Sequence, residues 1–315
     1  MGRWALTMVT KGVTRKAMIK SVCCFVALYT LALGSCAFAS TVWTSSFVSL
    51  GTATIGNPGS CAGGCDSVSS GTGAPVQVAD TFVFGGSTLT ASSGGQATYG
   101  VLHAASAASF RVTGQALASE AETLDITQEL MTISFAPWNG SPGLLHLSYT
   151  IDGTIQSTGG GGAWTQVDFL GMSGGNLVSY GYQTFTSSIS GSFNLPGAIP
   201  FIYGTPFLLQ IELITAAGSM SPDLDFSLAT GAGYASANFS NTLVLSGLIP
   251  TDLNGVEAAD PTFTSGSGTH YSVNGVVPEP STGVLILMSA VILAIGRRRL
   301  LGIAVAPSLR SRLHE

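Results

Sequence analysis

Between residues 40 and 276 this chain has almost no positive charge: Arg111 is the only Lys or Arg in the stretch. Against it stand 14 of the 16 acidic residues, a formal charge of −13 that the whole-chain value of −5 conceals. One cation cannot neutralise a row of phosphates, so nucleic-acid binding is excluded, and docking on an anionic membrane surface fails for the same reason. An acidic, Gly/Ser/Thr-rich surface suits solubility outside the cell or weak cation binding. Cysteine is scarce too, with three of five (Cys23, Cys24, Cys36) before residue 40. Sustained helical periodicity is missing, and long apolar runs occur only near the two ends.

The cations are concentrated at those ends. Arg3, Lys11, Arg15, Lys16 and Lys20 precede the apolar segment "SVCCFVALYTLALGSCAFAS", which closes on Ala37-Phe38-Ala39 before Ser40. A basic region, an apolar core and a small-x-small site make residues 1–39 a secretory signal peptide, cut between Ala39 and Ser40. Two other readings stay open. The run could remain as an uncleaved anchor, although it is shorter than the ~20 residues of a usual span. Alternatively, Leu33-Gly34-Ser35-Cys36 could serve as a lipobox, with Cys36 the lipidated N-terminus.

The two cysteines left in the body, Cys61 and Cys65 in "CAGGC", read as a disulfide closing a small loop in an exported chain. Two ligands without a nearby His do not make a zinc site. Nothing in the pattern calls for a cofactor.

The body reads as short segments rich in β-branched and aromatic residues, bounded by Gly, Ser, Asn and Pro: "VQVADTFVF", "AASFRVTG", "LLHLSYTIDG", "WTQVDFL", "LVSYGYQTF", "FLLQIELITA" and "NTLVLSGL". In "FLLQIELITA", Phe207, Leu209, Ile211 and Leu213 alternate with Leu208, Gln210, Glu212 and Ile214, predicting a half-buried strand. Repeated strands with Gly-rich turns predict an all-β fold over residues 40–276, an antiparallel jelly-roll-like β-sandwich. Glu, Ala and Gln in "SEAETLDITQELM" would allow a helix, but Thr123, Ile126, Thr127, Thr132 and Ile133 favour strand. "QSTGGGGAW" reads as a linker or a long hairpin turn, and unchanged composition on both sides favours one domain. Residues 40–75 read as an irregular arm, and 261–275 as the last strands.

Candidate chemistry is sparse. Gly171-Met172-Ser173-Gly174-Gly175 fits G-x-S-x-G, with Asp223 or Asp225 and then His270 in hydrolase order. A nucleophile elbow must open a helix, whereas "NLVSYGYQTF" reads as a strand, so a hairpin turn is the plainer explanation. His103, His146 and His270 are scattered. Glu120, Glu122, Asp125 and Glu129 could supply a glycosidase pair, but are expected to form a solvated acidic edge that discourages strand pairing. Asp252, Asn254, Glu257 and Asp260 are hard oxygen donors and form a weak calcium candidate without the full loop order; Asn254-Gly255 alone predicts a turn. Trp164, Tyr180 and Tyr182, with Trp138, are candidates for stacking on sugars, though aromatics in sandwiches are usually core.

At the C-terminus, Val277-Pro278-Glu279-Pro280-Ser281-Thr282 precedes 13 apolar residues, Gly283 to Ile295, and then Arg297, Arg298 and Arg299. At ~1.5 Å per residue this run covers only ~20 Å of a ~30 Å bilayer core, so a single hydrophobic helix there would be a thin or transient span. The arginines would hold residues 300–315 as a short cytoplasmic tail and leave the body outside that membrane. The order of Pro-Glu-Pro, short helix and arginines over residues 277–299 resembles the PEP-CTERM sorting signal of Gram-negative bacteria. That resemblance implies an exosortase-type processing enzyme as partner, a transient stay in the inner membrane, and delivery of the body to the cell surface or exopolysaccharide matrix. Pro278 and Pro280 lack N–H groups and keep their predecessors extended, so the motif stays out of the helix and accessible. The strand wording "LSYTIDGTI" and "NTLVLSGLIPTDLNG" also resembles the bodies of such exported proteins and carries no reaction. The reading that follows is a non-enzymatic structural or adhesive surface protein, with a carbohydrate-binding module as the alternative and a secreted hydrolase as a third.

Overall fold

A computed structural model describes residues 40–51, 64–173, 175–220 and 227–276. The signal peptide with Ala37 and Ala39, Cys61, Asp223, Asp225 and the C-terminal residues 277–315 lie outside the described residues. By its internal contacts the chain divides into two compact units between Val276 and Val277.

The described residues are strand almost throughout: β1 (Thr41–Gly51), β2 (Gly64–Ser70), β3 (Val76–Phe84), β4 (Ser87–Thr98), β5 (Val101–Ser134), β6 (Pro142–Gly159), β7 (Gly161–Ser173), β8 (Asn176–Phe185), β9 (Ile189–Ile202), β10 (Phe207–Ser219), β11 (Ala229–Thr251), β12 (Thr262–Ser265), β13 (Tyr271–Ser272) and β14 (Gly275–Val276). One 3-10 turn, Ala136–Trp138, breaks the series. Among the described residues no helix is long and apolar enough to cross a membrane.

All named pairings are antiparallel. The organising element is β5, whose 34 residues serve two half-sheets. Its first part pairs with β4 and β11, giving the order β3-β4-β5-β11-β6-β9; its second part pairs with β10 and β1, giving β8-β7-β10-β5-β1-β2. Between Val112 and Leu117 the pairing with β11 shifts, and Gly114 adopts φ 85, a conformation glycine reaches without steric cost. There the strand doubles back: the Thr123 hydroxyl donates to the Ala105 carbonyl at 2.9 Å, and Ser106 and Thr215 hydroxyls meet at 2.9 Å. The two half-sheets therefore face each other.

Alternation along β5 fills the space between them. Leu102 and Ala104 join Met131 and Ile133 in the main core with Leu145, Tyr149, Phe169, Leu213 and Phe239. Nearer the bend, Phe110, Val112 and Leu117 pack with Val48, Leu50 and Leu89 in a second cluster.

Several expectations are corrected. Residues 41–51 are no irregular arm, because β1 lies along β5 from Thr41 opposite Gln128 to Gly51 opposite Ala118. The "FLLQIELITA" strand is buried on both faces, since Leu208, Gln210 and Ile214 are enclosed as well as Leu209, Ile211 and Leu213. It lies in mid-sheet between β5 and β7. The "QSTGGGGAW" glycines carry the chain from β6 to β7, where a Cβ on Gly159 would sit 2.1 Å from the Ala232 carbonyl oxygen.

Candidate functional site

On one edge of β5, β1 covers residues 118–128 and β12 covers 131–134, leaving Glu129 and Leu130 between them. A backbone gap inside a fold must be satisfied by other groups. The first described residue and the segment after β12 fill it: the Leu130 N–H donates to the Ser40 hydroxyl at 3.2 Å, and the Gly266 N–H donates to the Leu130 carbonyl at 2.8 Å. Glu129 is 2% exposed. Its carboxylate accepts from the Ser40 hydroxyl, from the Ser267 N–H at 3.1 Å, from the Ser267 hydroxyl at 2.5 Å and from the Tyr271 hydroxyl at 3.3 Å. Burial, then the charge of Glu129, pushes the Tyr271 phenol up, and the same two causes in the same order raise Tyr99. Tyr271 in turn pairs with Val276, the last described residue. Ser40, the first described residue, and the strands leading to residue 276 thus converge on one carboxylate.

A polar seam separates the two apolar clusters. Asp125 is fully buried and accepts from the Thr44 hydroxyl. Burial pushes its carboxyl up to about 7, although the bonds from Thr44 and from the Gln96 and His103 N–H groups pull it down. Its Oδ2 has no hydrogen-bond partner among the described residues. On the opposite face of the same strand, burial and then the charge of Glu122 lift Glu120 to about 8, and burial lifts Glu122 to about 7. Across that face Glu212 is raised to about 7 by burial and by Asp168 directly opposite it on β7, while the Gln210 amide pulls it down. The expected solvated acidic edge is therefore corrected: these carboxylates lie on a central strand, Asp125 and Glu129 between the half-sheets.

The sugar-stacking candidates do not share a surface. Trp164 is 5% exposed and packs with Leu124, Ile126 and Ile214. Tyr180 leans on the main core, and Tyr182 is 59% exposed, opposite Asp168. Trp138 stacks edge-on with Phe135 and Tyr203.

The calcium candidates do not converge either. The exposed Asp252 carboxylate takes N–H bonds from Val256 and Asn254, both at 2.8 Å, and these, the Val256 bond foremost, hold it below its ordinary value. It braces its own turn, while Glu257 bridges to Thr251 and Asp260 has φ 57. Among the described residues no group of three or more His, Cys, Asp or Glu is placed to hold a metal ion. Ser173 ends β7 opposite Asn176 in a hairpin, with a strand following where a nucleophile elbow needs a helix. Cys65 lies in β2, and its proposed partner Cys61 is outside the described residues.

The sequence missed a groove of about 660 Å³ over β3, β4, β5, β11 and β6. Gln77, Gln96, His103, Gln156, Tyr234 and Asn238 line it above a floor of Gly, Ala and Ser. Its lining carries hydrogen-bonding groups and no carboxylate or basic side chain other than His103. The only advance signal was the run of small residues in "SSGGQATYG" and "HAASAAS", which reads equally well as plain strand.

The described strands end at Val276, and in the sequence the proline-marked segment follows at once. The family model of the PEP-CTERM protein-sorting motif matches residues 276–299, starting at the residue where β14 ends. The chain carries that motif, the mark of an exported protein sorted by exosortase. Among curated proteins none matches the chain.

Proposed function

We propose that this is a cell-surface or exopolysaccharide-matrix protein whose body is structural or adhesive rather than enzymatic. The observation that carries the reading is the sorting motif at 276–299, with Val277, Pro278, Glu279, Pro280, Ser281 and Thr282 ahead of the apolar run and Arg297, Arg298 and Arg299 behind it. In this reading residues 1–39 are removed, the apolar run holds the chain in the inner membrane, and an exosortase-type enzyme cleaves at Pro-Glu-Pro. The body is a jelly-roll-like sandwich, supported by the interleaved orders β5-β11-β6-β9 and β5-β10-β7-β8 with β5 common to both. Deleting residues 278–299 should release or misplace the body, measured by surface labelling of intact cells. Full surface retention of the deleted chain would contradict the sorting role.

A second reading, binding of exopolysaccharide by the body, draws support from the neutral groove around Tyr234 and Gln156. Neutral amides and one half-open aromatic ring match a neutral polyhydroxylated chain. Tyr234→Ala should weaken retention on a matrix polysaccharide while Tyr182→Ala, at an exposed position outside the groove, leaves it unchanged. Equal retention by wild type and Tyr234→Ala would remove the groove from consideration.

A further inference from the structure

A carboxylate that is 2% exposed ordinarily needs a cation or forgoes its charge. Among the described residues Glu129 has four donors, all neutral, and the only Lys or Arg between residues 40 and 276 is Arg111, far along β5 beyond the bend. One donor, Ser40, is the residue that signal-peptide removal would leave first in the chain. Its hydroxyl already touches the carboxylate, and the α-nitrogen of a serine is three bonds from its hydroxyl oxygen. In the uncut chain that nitrogen is a neutral amide. After cleavage between Ala39 and Ser40 it is an ammonium.

We propose that Glu129 is the binding site for the α-ammonium of Ser40 created by processing, so that cutting the N-terminus supplies the buried ion pair that fixes both ends of the body at one point. The inference rests on the proposed cleavage at Ser40. Its consequence is a coupling of the two termini: the Ser267 N–H shares Oε1 of the carboxylate with Ser40, and the Ser267 and Tyr271 hydroxyls, on the strands that lead to the sorting motif, take its Oε2. Among the described residues the other titratable groups facing Glu129 are Tyr99 and Tyr271, both raised by burial and then by the Glu129 charge and so neutral at pH 8.

The chain makes the test clean, because no lysine follows residue 20 and the processed protein has one primary amine, its own N-terminus. Protein recovered from cells after processing is treated with an amine-reactive acetyl ester from pH 6 to pH 10, and single labelling is read by intact mass. A carboxylate partner favours the charged amine, so the amine should titrate at least one pH unit above the ordinary α-amino value of about 7.7 to 8.0. Labelling at pH 6, below both values, should accordingly be about tenfold slower or more than in Glu129→Gln or in the urea-unfolded protein, and at pH 8 about fourfold slower or more. The wild-type titration alone decides the matter if Glu129→Gln does not fold. A protein beginning at Ser40 whose amine titrates at or below the ordinary value overturns the ion pair alone. A protein beginning at any other residue overturns the cleavage reading, and the ion pair with it.

Discussion

Raising the pH from 4 to 8 should destabilise the folded body, and Asp125 should account for a large part of the loss. In the unfolded chain this carboxyl titrates near 3.8; in the fold, burial moves it up to about 7. Between those values the folded protein keeps a proton that the unfolded chain has released, so stability falls as pH rises through the window and the penalty is complete above about pH 7. At 1.36 kcal/mol per pH unit, Asp125 alone contributes about 4 kcal/mol. With a urea slope of about 3 kcal/mol/M, that lowers the midpoint by roughly 1 M or more. Glu120, Glu122 and Glu212 titrate over the same window in the same direction and steepen the curve. The assay is urea unfolding of the processed protein followed by tryptophan fluorescence at pH 4, 6 and 8. Asp125→Asn, which keeps the shape of the neutral acid, should match wild type near pH 4, exceed it at pH 8, and show a shallower slope. A wild-type midpoint that rises with pH, or an Asp125→Asn profile as steep as wild type, would refute the argument.

Two further outcomes test the packing and the cysteine reading. Gly153→Ala places a methyl group 2.2 Å from the ring of the fully buried Phe239, and should cost about 1–3 kcal/mol in the same urea assay. The processed protein should expose no free thiol to alkylation until reduced, after which two groups react, corresponding to Cys61 and Cys65.

Much of the strand pattern was legible in the sequence, because period-two alternation and Gly-bounded segments are local signals: "VQVADTFVF" is β3 from end to end. The bend in β5 was not legible, since "AASFRVTG" and "SEAETLDITQELM" read as separate segments and only the pairing with β4, β11, β1 and β10 shows that one strand supplies both half-sheets. Asp125 and Glu129 read as solvated from the sequence because a carboxylate's charge is a stronger local signal than its place in the strand period. Their alternation with Ala121, Met131 and Ile133 already placed them on the core side of the strand. Trp164 and Tyr180 were grouped with Tyr182 by residue type. Register separates them: Trp164 and Tyr182 take the face turned away from the main core, and Tyr180 packs against that core. The sorting motif was fully legible because its recognition depends on a short contiguous segment and not on folding.

The most direct test of the account is the intact mass of the protein recovered from the cell surface or the surrounding matrix. A species that starts at Ser40 and ends between Pro278 and Pro280 is the predicted result, showing both processing events on one molecule. A species that still carries Arg297 to Arg299 would contradict cleavage of the sorting signal and make the C-terminal segment a permanent anchor.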